Sequence, residues 1–251
     1  MRHLFSPDGL AALDAVISRA PLVGFDFDGT LAPIVPRPET ARVPLPLRHR
    51  LERLSALLPV AVVSGRSLPD LSDRLGFEPR YTVGNHGAER QGGTSAAGHE
   101  LDGLRDWLRR YAAGLHAAGV VVEDKGLSLA LHYRTASRPD HALATIRELL
   151  RPFGAALHTF PGKMVENVTA PGSPDKAVAV HDLVRESGAP CAVFFGDDVN
   201  DEPVFASAPA DWLTVRVGFD DRETQAAFFI HHTQEMVPVI DRMLARLVAD
   251  A

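Results

Sequence analysis

Two textures of apolar residues alternate along this chain. Leu10, Leu13, Val16 and Ile17 recur at helical spacing, and Pro21 closes that segment before the continuous apolar run Leu22 to Phe25. Leu47, Leu51, Leu54 and Leu58 repeat the spacing, with Pro59 and then the run Val60 to Val63 behind them. After Pro171 the order returns: Ala177 to Glu186 has helical texture, Ser187 to Pro190 reads as a turn, and Cys191 to Phe195 as a strand. Short strands that are apolar throughout, alternating with helices, predict an α/β fold with a parallel sheet covered on both faces.

The middle of the chain breaks this rhythm. Gln91 to Gly98 is rich in Gly, Ser, Thr and Ala, the composition of a linker or exposed loop. Beyond it the pattern predicts a helix around Leu101 to Leu115 and a hairpin in Gly119 to Tyr133 that turns at Asp124, Lys125 and Gly126. A helix from Pro139 to Leu150 and a second hairpin in Leu157 to Thr169, turning at Pro161 and Gly162, follow. Hairpins do not continue a parallel series, so residues 93–168 are expected to form an α+β insertion within a core made of 1–92 and 169–251. Val239, Ile240, Met243, Leu244, Leu247 and Val248 supply a final helix with one apolar face.

Composition narrows the function classes. A chain of 251 residues with 45% hydrophobic and 23% charged residues is an ordinary globular one, and its apolar runs are too short to span a bilayer. A net charge of −6 argues against a nucleic-acid footprint. The single cysteine, Cys191, has no partner for a disulfide and lies in an apolar run, so it reads as a small core residue. Asp8 and Asp14 interrupt any secretion-signal pattern, which makes a cytoplasmic setting the expectation, with no membrane partner and a monomer as the default.

The chemistry gathers where strands end. Leu22 to Phe25 runs into Asp26-Phe-Asp28-Gly-Thr30, Val60 to Val63 into Ser64-Gly-Arg66, and Cys191 to Phe195 into Gly196-Asp-Asp198. In an open parallel sheet such ends share one edge, where these folds build their sites. Asp26 suits a nucleophile and Asp28 a proton donor and acceptor, although a turn aspartate before glycine has the same pattern. Asp197 and Asp198 add charge to that edge, and carboxylates about 4 Å apart repel by about 4 kcal/mol at an effective dielectric of about 20. A divalent cation relieves that repulsion, and an all-oxygen donor set favours magnesium over zinc. The alternative is that Asp197, Asp198 and Asp201 open the next helix, with Pro203 in its first turn. Lys176, behind Ser173, Pro174 and Asp175, suits anion binding at a helix start or a solvated surface. Ser64 suits donation to a phosphoryl oxygen or a turn cap.

In order and spacing, Asp26-Phe-Asp-Gly-Thr-Leu, Ser64, Lys176 and Gly196-Asp-Asp with Asp201 resemble the motifs of the haloacid dehalogenase-like phosphatases. Finer features resemble the trehalose-phosphate phosphatase branch: Ser64-Gly-Arg66, Gly84-Asn-His-Gly-Ala-Glu89, Glu123-Asp-Lys125-Gly, Leu131-His-Tyr-Arg134, Gly162-Lys-Met-Val-Glu166 and Gly196-Asp-Asp-Val-Asn-Asp-Glu202. The resemblance implies a Rossmann-like α/β core carrying an inserted α+β cap of the C2 type. It implies hydrolysis of trehalose 6-phosphate through an aspartyl-phosphate on Asp26, with Asp28 as general acid and then base and Ser64 and Lys176 on the phosphoryl group. Mg2+ would be held by Asp26, the Asp28 carbonyl and Asp197, supported by Asp198 and Asp201. Glu123, Lys125 and Glu166 correspond to sugar-contacting cap positions. Arg66 and Asn85 count with the substrate-binding positions, and His86 either touches substrate or orders its loop. Asn200 stands where relatives often have threonine, and Ala177 where many have glycine. A phosphatase or mutase for another sugar phosphate, or an inactive domain that binds one, stays open.

Overall fold

The structure, a computed structural model, describes residues 1–90, 98–219 and 223–249; Gln91 to Ala97, the bulk of the expected linker, lies outside them. Strands β2 (Leu22–Phe25), β3 (Val60–Val63) and β10 (Ala192–Gly196) are buried at every position, as continuous apolar runs demand. They are neighbours in the order β10-β2-β3, with Phe25 registered to Phe195 on one side and Val62 on the other. Outside them lie β1 (Arg2–His3), β4 (Tyr81–Gly84), β5 (Glu89–Arg90), β11 (Leu213–Val217) and β12 (Phe228–Ile230). Among the described residues these make one sheet in the order β1-β12-β11-β10-β2-β3-β4-β5, parallel except for the β4/β5 pair.

Helices cover both faces. One face packs on α1 (Pro7–Ile17), α2 (Leu45–Ser55), α3 (Leu68–Leu75) and α9 (Met236–Ala249), through Leu13, Leu51, Leu71 and Ile240 among others. The other packs on α7 (Lys176–Ser187) and α8 (Glu202–Ser207), through Val180, Leu183 and Phe205. The predicted helices and strands of this core occur at their expected places. Strands β1, β4, β5, β11 and β12 are additions: Thr214 and Arg216 are buried polar residues that interrupt the apolar run of β11.

The remaining strands form a second sheet, antiparallel throughout, in the order β6 (Val121–Asp124), β7 (Ser128–His132), β9 (Val165–Thr169) and β8 (His158–Gly162). One face carries α4 (Asp102–Arg110), α5 (Ala112–Ala117) and α6 (Pro139–Leu150), around a separate core that includes Leu104, Leu115, Leu131, Ile146 and Val168. The expected single helix over Leu101 to Leu115 is broken at Tyr111. The second hairpin turns at Lys163 and Met164 rather than at Pro161 and Gly162, which belong to β8. Met164 takes the left-handed conformation there, with φ 61°. No helix among the described residues is long and apolar enough to cross a membrane.

Candidate active site

The ends of β2, β3 and β10 open into a cavity of about 530 Å³ whose opposite wall is the exposed face of the second sheet. Asp26 leaves β2, 5% exposed, with its N–H donated to the Phe195 carbonyl at 2.8 Å. Lys176, the first residue of α7, reaches back past the helix N-terminus, where Asp175 caps the Val178 N–H at 2.9 Å. Its ammonium group bridges Asp26 Oδ1 at 2.8 Å and Asp201 Oδ1 at 2.7 Å and is 1% exposed. The other Asp201 oxygen accepts the N–H groups of Asp197 and Asp198 at 2.9 and 3.0 Å. A buried lysine with two carboxylates is an ion triad, not a surface charge.

Asp26, Asp197 and Asp201 each offer an oxygen within 4.8 Å of the others, and all three are buried. Burial, then the neighbouring charges, sets their electrostatics. Burial raises the Asp26 carboxyl far above its ordinary range, Lys176 opposes it, and Asp201 and Asp197 add to it. The Asp197 carboxyl is pushed up to about 6 by burial, against the Lys163 ammonium, which contacts Asp197 Oδ2. Lys176 is held above its ordinary value by Asp201 and Asp26, although burial alone would lower it. Asp201 is held by Lys176 and two N–H groups away from the cavity, whereas Asp26 and Asp197 line it. Two crowded carboxylates at the cavity, with the third behind them, fit a divalent cation. The approach of the β2 loop is close: a Cβ on Gly29, whose φ is 86°, would fall 2.0 Å from Asp197 Oδ2.

Asp28 is gripped through both oxygens by Arg66, at 2.7 Å from Nε and 2.7 Å from Nη2. Arg66 is fixed by Asp70 at 2.6 Å, by the Pro38 carbonyl at 2.9 Å and by the Phe27 ring, 5.3 Å away. Ser64, 1% exposed, accepts the Arg66 N–H on its hydroxyl at 3.2 Å, which leaves its own hydrogen to donate. Asp70 is held at about 2 by hydrogen bonds from Arg74, then against burial from Arg66. Because that value lies below the ordinary 3.8, the pairing stabilises the fold above pH 3.8 and is lost as pH falls toward 2. Allowing for solvent screening of a partly exposed carboxylate, Asp70→Asn should cost about 1 kcal/mol at pH 7. Thermal unfolding should show the difference closing in acid.

From the second sheet, Lys125 donates to the Gly65 carbonyl at 2.9 Å, its pKa lowered by burial with Glu123 opposing. Glu123 lies 2.9 Å from His132 Nε2 and 3.7 Å from Lys125 Nζ, and the His132 contact chiefly keeps its carboxyl low. Asp28, Ser64, Arg66 and His86 face these residues across the cavity. Two expected positions do not reach it. Asn85 is 0% exposed and spends its side chain on Glu89 at 2.7 Å, the Lys125 carbonyl at 3.3 Å and the Ser128 hydroxyl at 2.6 Å. It ties the Lys125 turn to the core instead. Glu166 pairs across the sheet with Leu131 and shares its face with Val168, the helix-covered side, where burial raises its carboxyl against Arg147. Val165 and Asn167 are the residues of β9 that line the cavity.

Lys163 is the cavity-lining charge that motif reading passes over. It stands in Gly162-Lys-Met-Val-Glu166, but only the turn geometry reveals that its ammonium contacts Asp197 and its N–H reaches Asp198 Oδ2 at 3.2 Å. Of the flanking carboxylates, Asp198 caps the turn Val199–Asp201, as the helix-opening alternative expects, and also lines the cavity.

A family model described as trehalose-phosphatase matches residues 24–229. The trehalose-phosphate phosphatase of Mycobacterium tuberculosis is 32% identical over 96% of this chain, which spans 66% of that relative's length. The C-terminal domain of the C. albicans trehalose-6-phosphate phosphatase shares the fold, with a TM-score of 0.80 at 21% identity over 94% of this chain and 96% of that one. A trehalose-6-phosphate phosphatase related protein superposes with a TM-score of 0.73 at 26% identity, over 89% and 98% of the two chains. The chain belongs to the trehalose-phosphatase family and has the haloacid dehalogenase-like fold.

Proposed function

We propose that the protein hydrolyses the phosphate monoester of a small sugar, with trehalose 6-phosphate as substrate and Mg2+ as cofactor. Residues 93–168 act in this reading as a cap on a core formed by 1–92 and 169–251, in a cytoplasmic setting that suits the unpaired, buried Cys191. The observation that carries the reading is one cavity with two unlike walls. One holds Asp26, Asp28, Ser64 and Asp197; the other presents Glu123, Lys125 and His132, whose polar groups suit sugar hydroxyls. Membership of the trehalose-phosphatase family supports the choice of sugar.

Lys176 occupies Asp26 Oδ1, which leaves Oδ2 to attack phosphorus. As the Asp26–phosphorus bond forms, the ester P–O bond breaks and the departing sugar oxygen takes a proton from Asp28. Water then attacks phosphorus, Asp28 accepts its proton, and Asp26 leaves as a carboxylate with release of phosphate. Both Asp28 oxygens accept from Arg66, so Asp28 takes up the proton that it delivers, and reaches the leaving oxygen, only after one of those contacts gives way. Ser64 donates its hydroxyl to the transferring group. Asp26, Asp197 and the Asp28 main-chain carbonyl would hold Mg2+, which would supply charge stabilisation to the phosphoryl group.

Phosphate release from a panel of sugar phosphates, with and without Mg2+ and chelator, tests this. Trehalose 6-phosphate should be preferred and its turnover lost on chelation. Metal-dependent release from a different sugar phosphate keeps the reaction and replaces the substrate, whereas no release from any ester leaves a sugar-phosphate-binding domain. Glu123→Gln and Lys125→Met should each lower kcat/KM for the sugar ester by about 10- to 100-fold, the range of one to two hydrogen bonds. A small aryl phosphate should be spared, and Glu166→Gln should leave both esters unchanged.

A further inference from the structure

His86 lines the cavity at 6% exposure, and both of its ring nitrogens are buried without a partner at hydrogen-bonding geometry. Buried polar atoms are rarely left so, because the loss of water goes uncompensated. The position is also backbone-strained: φ is 48° at Asn85 and 59° at His86, a region that residues with a Cβ enter at a cost. Main-chain bonds enforce it, from the Asn85 N–H to the Arg66 carbonyl at 2.7 Å and from the His86 N–H to the Ser64 carbonyl at 2.9 Å. The ring itself is clamped. It lies against Gly65, where a Cβ would fall 2.2 Å from ring carbon Cε1, and meets Phe160 of β8 edge-on with centroids 4.9 Å apart.

Strain, clamping and empty nitrogens together describe a side chain held for something absent from the fold itself. Burial, with Lys125 and then Lys176 adding to it, keeps the imidazole neutral, and the polar side chain of Asn167 beside the ring acts in the opposite direction. A neutral imidazole offers one donor and one acceptor, the complement of a sugar hydroxyl. Its main chain joins Ser64 at the phosphoryl end, and its ring touches the sheet that carries Lys125.

We infer that His86 is a specificity-determining residue that hydrogen-bonds a sugar hydroxyl close to the phosphorylated carbon. The inference rests on the sugar-phosphatase reading and assigns one of its contacts. His86→Phe keeps an aromatic ring against Gly65 and Phe160 but removes both nitrogens. His86→Asn keeps a donor and an acceptor on a residue that tolerates left-handed backbone. Should phenylalanine unfold the protein, His86→Gly, which suits the same φ, takes its place. Kinetics are measured on the sugar phosphate that wild-type protein turns over fastest and on an aryl phosphate, with thermal midpoints alongside.

The ring-only variant should lose at least about tenfold in kcat/KM on the sugar ester, mainly through KM, and stay within about twofold on the aryl ester. Asparagine should restore part of the loss. Equal losses on both esters, or none on either, overturn the inference and leave His86 as a packing residue. Wild-type protein that releases phosphate from no ester overturns the underlying reading, and this inference with it, before any variant is compared.

Discussion

Asp26→Asn protein should release phosphate at less than about one ten-thousandth of the wild-type rate while unfolding at or above the wild-type temperature. The rate follows from the loss of the attacking oxygen: an amide of the same shape is no nucleophile, and a factor of 10⁴ corresponds to about 5.4 kcal/mol of barrier. The stability follows from the site's electrostatics. Asp26 is buried beside Asp197 and Asp201, and all three influences that raise its carboxyl mark its charge as a burden on the folded state. Lys176 keeps Asp201 as a partner in the variant, so no ammonium is stranded. Steady-state phosphate release and a thermal melt on one preparation check both halves, and turnover within tenfold of wild type removes Asp26 from the mechanism.

Lys176→Met should produce the largest stability loss of any single change at the site, about 3–5 kcal/mol, because breaking a buried ion pair from one side leaves uncompensated charge. That is a sizeable part of the roughly 5–15 kcal/mol that holds a domain together. Here two carboxylates are stranded, Asp26 and Asp201, each within 2.8 Å of the missing ammonium. Adding Asp201→Asn to Lys176→Met should recover part of the loss in denaturant melts, and strict additivity of the two changes would show that they do not interact. The sign in pH is opposite to that of Asp70. Lys176 is raised in the fold above its ordinary 10.5, so its contribution is complete below that pH and disappears as pH climbs through the higher folded value.

Strands β2, β3 and β10 were legible in the sequence because a strand covered on both faces carries no polar residue, and Pro21, Pro59 and Pro190 mark the approach to each. The three polar clusters at their ends follow from that reading. Strand β11 was not legible, since Thr214 and Arg216 break its run yet stay buried. Glu166 and Asn167 show a sharper limit. Adjacent residues of a strand face opposite ways, and Val165 and Val168 lie on different faces, so β9 shows no alternation that says which side meets the cavity. Asn85 illustrates another: an amide beside a site reads as a ligand contact until its partners are known, and here Glu89, Ser128 and the Lys125 carbonyl account for it. Lys163 escaped because a hairpin tip binds nothing until the hairpin is docked.

The place of β2 at the middle of the core sheet has a consequence for biogenesis. Leu22 pairs with Ala192 on one side, while Val23 pairs with Val60 on the other. A ribosome therefore delivers β2 early and its far-side neighbour β10 late, after the whole antiparallel sheet has emerged. Until then Asp26 lacks Lys176, Asp197 and Asp201, and one edge of β2 is bare. The antiparallel sheet, whose contacts are local and whose core is its own, is positioned to fold first on the nascent chain. The parallel sheet closes only once β10 has emerged, so truncations before β10 should accumulate as a folded antiparallel module on an aggregation-prone stub.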